Sequence, residues 1–205
     1  MVEKELKIIL LGESGVGKTS IIFRYYKNSF NPNLTSTFGS TYVTKYLERD
    51  NIKYKLNIWD TTGQEKYHSV TKLFIHGSHI AILVYAINNV ESFQKLEYWH
   101  KIIKEYCGEN VILAVVGSKY DLFNTEEENI VFVSDEEGEK YAKEKNAIFK
   151  LVSAKDDKNG IDSLFDELVN KFKAKNIINN SENKEKKVKI ENKKTKNSGK
   201  KSGCC

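Results

Sequence analysis

Proline is nearly missing: the 205-residue chain has one, beside 12 glycines. So little of either excludes a collagen-like chain or a Pro/Gly low-complexity segment, and no internal repeat is visible. Cysteine is scarce and odd in number, with Cys107, Cys204 and Cys205. Three thiols, two of them terminal, make neither a disulfide framework nor a zinc spacing. No apolar run approaches the roughly 20 residues that cross a bilayer as a helix. Met1 to Leu11 is too short and too charged for a secretory signal peptide. Together these absences predict a cytosolic protein. His68, His76, His79 and His100 show no metal-ligand pairing and read as surface or internally satisfied residues. Cys107 reads as a small, buried or half-buried apolar residue.

The formal net charge of +5 hides an asymmetry. From Lys173 to Cys205 there are 11 Lys and 3 Glu, a charge of +8; the remainder carries 22 Lys or Arg and 25 Asp or Glu, a charge of −3. The body is mildly acidic and the tail strongly basic. Rich in Asn, Lys, Ser and Glu, the tail cannot bury a core and reads as disordered. Basic chains often bind nucleic acid, but here the basicity is confined to the tail, and no nucleic-acid surface is predicted. The expected division is a globular domain over residues 1–172 and a Lys-rich tail over 173–205.

Within the body one stretch dominates. Lys7 to Leu11 is a short apolar run typical of a strand buried on both faces. It leads straight into Gly12-Glu13-Ser14-Gly15-Val16-Gly17-Lys18-Thr19, which matches the phosphate-binding pattern G-x-x-x-x-G-K-S/T. In this pattern glycines let backbone N–H groups close round a phosphate. Lys18 brings charge to the β- and γ-phosphates, and the Thr19 hydroxyl ligates Mg²⁺. The helix that follows aims its positive end at the same phosphates. Glu13, Ser14, Gly15, Val16, Gly17, Lys18, Thr19 and Ser20 are the predicted phosphate contacts.

The rest of the body alternates strands with helices. Thr19 to Lys27 reads as a helix and Asn28 to Phe38 as a loop rich in turn residues. Tyr42 to Glu48 and Ile52 to Trp59 form a predicted antiparallel hairpin turning at Arg49-Asp50-Asn51. A helical stretch follows through Ile75, then a buried strand at Ile80 to Ile87. Glu91 to Tyr106 reads as one amphipathic helix, with Phe93, Leu96, Trp99 and Ile103 at helical spacing. Val111 to Gly117 is a strand, Asn124 to Val133 an acidic loop, and Glu136 to Lys145 a helix capped by Ser134 or Asp135. Ala147 to Val152 is the last strand and Ile161 to Phe172 the last helix. This order predicts an α/β fold: a doubly wound, mostly parallel six-stranded sheet with one antiparallel edge strand and helices on both faces. Ligands of such sheets sit at the C-terminal ends of the strands.

A second polar cluster stands at such an end, in WDTTGQE. Asp60 can hold the Mg²⁺ water shell opposite Thr19. Gly63 can offer a backbone N–H to a γ-phosphate, and Gln64 can orient an attacking water. With these residues the chain resembles a small GTPase of the Ras superfamily, and within it the Rab family, over about Lys7 to Phe172 and the last two residues. The Rab-like features are KLNIWDTTGQEKYHS, the LVY of the next strand and the ending Ser-Gly-Cys-Cys.

The resemblance implies a P-loop GTPase with Mg²⁺ and GTP or GDP bound. It implies Phe30 packed on the guanine, and Thr37 as a metal ligand that touches the γ-phosphate. Lys119 would lie along the base and Asp121 would read its N1–H and 2-amino group. The loop Ser153-Ala154-Lys155 would meet the guanine O6 through backbone N–H. Gln64, Lys18 and Thr37 are the implied catalytic residues, and Thr19, Thr37 and Asp60 the metal site. Tyr42, Trp59 and Phe74 fall where the family has an aromatic triad read by effectors; core packing is the other reading of Trp59. The implied partners are effectors that read the GTP-bound form, an exchange factor, a GTPase-activating protein, a prenylation escort and a GDP-dissociation inhibitor. Cys204 and Cys205 match the double-cysteine ending that takes two geranylgeranyl groups. Two lipids and a Lys-rich linker would hold the chain reversibly on the cytosolic face of an intracellular membrane.

Four positions depart from the family pattern. Ser118, in Ser-Lys-Tyr-Asp, replaces an Asn that ties the base loop to the phosphate loop and touches the base, which predicts weaker nucleotide binding. Thr62 replaces Ala and, being β-branched, predicts slower hydrolysis. Ala86 replaces Asp, and Ser40-Thr41 is an unusual filling after Thr37. These departures keep open a rival: a nucleotide-gated binding scaffold with very slow or no turnover. A phosphotransferase is disfavoured, because it needs an arginine-rich lid and the body has only Arg24 and Arg49.

Overall fold

The computed structural model describes residues 2–34, 37, 40–63, 73–124 and 131–176. The chain divides into two units, Met1–Leu168 and Val169–Cys205. In the second, residues 169–176 are helical. The first unit contains six strands, β1 (Val2–Leu11), β2 (Ser40–Arg49), β3 (Ile52–Thr61), β4 (Ile80–Ala86), β5 (Ile112–Ser118) and β6 (Ile148–Leu151). Its helices are α1 (Lys18–Lys27), α2 (Val90–Gln94), α3 (Leu96–Cys107), α4 (Asp135–Glu144) and a stretch over residues 158–168. A 3-10 turn spans Tyr120–Asn124.

The strands form one sheet in the order β2-β3-β1-β4-β5-β6. Every pairing is parallel except β2 with β3. The continuous apolar runs occupy its middle: β4 and β5 are buried along their whole length, as strands covered on both faces must be. Alternate side chains of the sheet (Ile9, Leu11, Ala81, Leu83, Leu113, Val115) cluster with Leu96, Trp99 and Ile103 of α3 and Ala142 of α4. Ile8 and Leu10 point the other way by the period of a strand and are equally buried. Tyr25 of α1 stacks on Phe165 of the 158–168 helix, with ring centroids 3.8 Å apart. The predicted mostly parallel sheet with a single antiparallel edge strand is therefore the one observed.

Local chemistry explains most boundaries. Asp50 and Asn51 both take positive φ, 51° and 59°, the two-residue hairpin turn for which Asp and Asn are suited. Ser134 caps α4 by a capping box with Glu137. The single helix predicted over 91–106 is corrected to two, α2 and α3, meeting at Lys95. The first piece is tied down locally: Asn89 accepts the Ser92 N–H, and the Ser92 hydroxyl donates to Asn89 O and accepts from Ala86 N–H. Among the described residues no helix is long and apolar enough to cross a membrane.

Candidate functional site

Gly12 marks the end of β1, and its place cannot take a side chain: a Cβ there would stand 2.1 Å from Val84 O. From it the phosphate loop turns into α1, whose first turn has neither a side-chain cap nor an acidic residue. The orphan N–H groups of that turn are thus left for an anion. Lys18 is buried, and its Nζ donates to Gly12 O and Glu13 O, both at 2.8 Å. An ammonium has three donors, so one remains for a phosphate. Burial lowers Lys18 to about 8, against the pull of the Asp60 and Glu13 carboxylates.

Opposite Lys18, the strand end of β3 supplies Asp60. Thr19 Oγ1 donates to Asp60 Oδ2 at 2.8 Å and lies 2.7 Å from Thr37 Oγ1. Asp60 is buried, and its Oδ1 has no hydrogen-bond partner. Burial raises its pKa, and the Thr19 bond and the Lys18 charge act against that rise. Two hydroxyls and a carboxylate with an orphaned oxygen form a hard-oxygen set that fits Mg²⁺. Among the described residues no group of three His, Cys, Asp or Glu could hold a metal. Gly63 lies against the phosphate loop, where a Cβ would stand 2.2 Å from Glu13 C and 2.3 Å from Ser14 N. Thr62, just before it, is buried.

The pocket runs from here to a second end built from other segments of the chain. Its cavity, about 420 Å³, is lined at the phosphate end by Ser14, Gly15, Gly17, Lys18, Thr19 and Ser20, with Thr37 and Gly63. At the other end it is lined by Phe30, Ser118, Lys119, Asp121, Ala154 and Lys155. Lys119 holds a left-handed backbone, φ 62°, a strain met at functional turns; burial lowers its pKa. Ser118 Oγ lies 2.5 Å from Val16 O and 2.8 Å from Tyr85 O, so the Ser in place of Asn still ties β5 to the phosphate loop. Ser153 stands behind the wall. Its hydroxyl donates to Asp121 Oδ1 at 2.7 Å and accepts the N–H groups of Lys155 and Asp156.

The cavity thus gathers most of the predicted residues. Glu13 and Val16 meet it differently. Their carbonyls accept from Lys18 and Ser118, and the Glu13 carboxylate accepts the Trp99 indole N–H at 3.1 Å. Gln64, His68, Cys204 and Cys205 lie outside the described residues. Sequence reading missed Trp99 as a partner of the phosphate loop, Arg24, which bonds to Ala154 O and Lys155 O, and the lining residues Asn31, Pro32, Leu34 and Leu122. Outside the pocket, Trp59 stacks with Tyr42 at 4.9 Å and meets Phe74 at 5.1 Å. Trp59 and Phe74 also pack against the core cluster, which is the packing reading of Trp59. His79 Nδ1 accepts the Lys7 N–H, His100 is buried, and half-buried Cys107 donates to Ile75 O.

Comparison with known proteins follows the same residues. The Ras family model matches residues 7–174. The chain is 38% identical over 168 residues to the human Ras-related protein Rab-22A, across 82% of this chain and 84% of that protein. It is 39% identical over 165 residues to the mouse Ras-related protein Rab-31, across 80% of this chain and 82% of that protein. The chain belongs to the Ras family, as a Rab small GTPase of vesicle traffic, and it hydrolyses GTP to GDP and phosphate.

Proposed function

We propose that this Rab GTPase is a membrane-attached switch that binds GDP and GTP with Mg²⁺ through the pocket of α1, β3, β5 and the 153–155 loop. The meeting of Thr19, Thr37 and Asp60 carries the reading. Thr37 belongs to a separate loop, yet its hydroxyl lies 2.7 Å from that of Thr19 beside the unpaired Asp60 Oδ1. Mg²⁺, when bound there, neutralises charge on the β- and γ-phosphate oxygens. The α1 N-terminus and Lys18 bind the phosphates, and Gly63 offers its N–H to the γ-phosphate. Thr37 and Gly63 then hold their loops only while that phosphate is present, and hydrolysis releases them. Gln64 orients the attacking water. Phe30 packs on the base, Lys119 runs along it, Asp121 takes its N1–H and 2-amino group, and Ala154 N–H meets O6. Adenine lacks that donor pair and would leave the Asp121 acceptor unmatched, which sets the preference for guanine.

In this reading residues 1–172 are the GTPase domain and residues 173–205 a basic tether. Two lipids on Cys204 and Cys205 hold it on the cytosolic face of an intracellular membrane, since one chain alone binds marginally. Effectors bind the ordered loops and the Tyr42-Trp59-Phe74 surface. An exchange factor, an activating protein, a prenylation escort and a GDP-dissociation inhibitor serve the cycle. The test is single-turnover hydrolysis of bound GTP, with and without an activating protein. Wild type should turn over slowly alone and faster with the activator. Gln64→Leu should keep nucleotide and lose hydrolysis; hydrolysis at the wild-type rate would remove Gln64 from the mechanism.

A further inference from the structure

The loop assigned above to the guanine O6 is held from behind by a cation. Arg24, near the end of α1, donates from Nε to Ala154 O at 2.5 Å and from Nη2 to Lys155 O at 2.6 Å. Its Nη1 reaches Asn28 O at 3.5 Å. Arg24 does not line the cavity, so it acts on the ligand only through what it holds. Charge-assisted bonds from a planar fork to two successive carbonyls fix a backbone segment in both position and orientation.

The bonds continue beyond the carbonyls. Ala154 C=O and Lys155 N–H are the two ends of one peptide group. That N–H donates to Ser153 Oγ at 3.2 Å, and Ser153 Oγ gives its own proton to Asp121 Oδ1 at 2.7 Å. An unbroken chain therefore runs from the guanidinium, through one peptide and one hydroxyl, to the carboxylate that faces the base. A cation at the carbonyl end strengthens the N–H at the other end, because bonds in a chain polarise one another. The same helix presents its N-terminus to the phosphate loop; ten residues at 1.5 Å each make it about 15 Å long.

We propose that Arg24 is a positioning residue for base recognition: it sets the Ala154–Lys155 backbone and, through Ser153, the Asp121 carboxylate. Its loss loosens the contacts to guanine and leaves those to phosphate. The proposal deepens the pocket assignment made above and rests on it.

The experiment compares release of GDP and of 6-thio-GDP from wild type, Arg24→Ala and Arg24→Lys, each loaded with Mg²⁺. Sulfur at position 6 is a poorer acceptor for a loop N–H, so wild type should release the thio nucleotide faster. In Arg24→Ala, GDP release should rise roughly tenfold, the worth of one well-placed hydrogen bond. The thio nucleotide should gain less, and the ratio of the two rates should fall toward one. Arg24→Lys keeps the charge but not the fork, and should fall between. It carries the same comparison if the Ala variant does not fold. A ratio that stays at the wild-type value overturns the proposal, even if both rates rise, because a uniform rise is the mark of a general loosening. Equal release of the two nucleotides by wild type would overturn the assignment of the base loop itself and take this proposal with it.

Discussion

Replacing Ser118 by Asn restores the residue the family pattern carries, and the structure limits what that can gain. The Ser118 hydroxyl has one proton and two carbonyls in reach, Val16 O at 2.5 Å and Tyr85 O at 2.8 Å. The tie from β5 to the phosphate loop is therefore already made, and with it one of the two contacts whose loss the sequence suggested. What Ser lacks beside Asn is length and a second polar group. An Asn amide can keep Val16 O with one N–H and present its other polar end to the cavity, which residue 118 lines. One added hydrogen bond is worth about 0.5–1.5 kcal/mol, so GDP and GTP should bind roughly two- to tenfold more tightly. The gain should appear mainly as slower dissociation. Asp121 and the Ser153-Ala154-Lys155 backbone are unchanged, so the preference for GTP over ATP should stay nearly constant. Dissociation of a fluorescent GDP from both proteins, with ATP competition beside it, measures both effects. An unchanged off-rate would mean that Ser118 already makes the base contact. A large shift in base preference would mean that residue 118, not Asp121, selects guanine.

Two further outcomes follow from the site and the tail. Burial lowers Lys18 to about 8, and a phosphate beside it must raise that value, since it favours the charged form. Nucleotide affinity should then be full below about pH 8 and fall above it, by up to about tenfold per pH unit, because the free protein must first take up a proton. Calorimetry of GDP binding in buffers of different ionisation heat checks this: absence of proton uptake near pH 8 would show Lys18 to be charged before the nucleotide arrives. Deleting Cys204 and Cys205 should leave a folded GTP binder that moves from membrane to supernatant on fractionation; truncated protein that still pellets with membranes would reveal another anchor.

How much of this was legible in the sequence depends on where each constraint resides. The hairpin turn was readable because positive φ is tolerated by few residue types, and Asp50-Asn51 are two of them. The break at Lys95 was not. That residue keeps φ −70° and ψ −11°, close enough to a helix that the apolar period runs through it, and Phe93, Leu96, Trp99 and Ile103 still reach one cluster. The pattern reported the buried face correctly and was blind to the interruption.

The pocket divides along the same line. Lys18 and Thr19 were readable as neighbours from the phosphate-loop spacing, Asp60 from its place at a strand end, and Asp121 came with the family resemblance; folding puts Lys18, Thr19 and Asp121 round one cavity and Asp60 against Thr19. Arg24 was not readable, although it makes two of the shortest charge-assisted bonds around the cavity. Its partners are backbone carbonyls 130 and 131 residues away, and every residue carries one. Nothing in the letters at 154 and 155 records that an arginine is needed at 24. Glu13 hides its partner for a related reason: it fills an unspecified position of the phosphate-loop pattern, where any side chain satisfies the motif. Only the packing of α3 brings the Trp99 N–H to its carboxylate. Side chains that touch the nucleotide are constrained by its chemistry and leave a pattern. Side chains that hold the backbone which touches it are constrained by geometry alone, and they come into view only once the chain is folded.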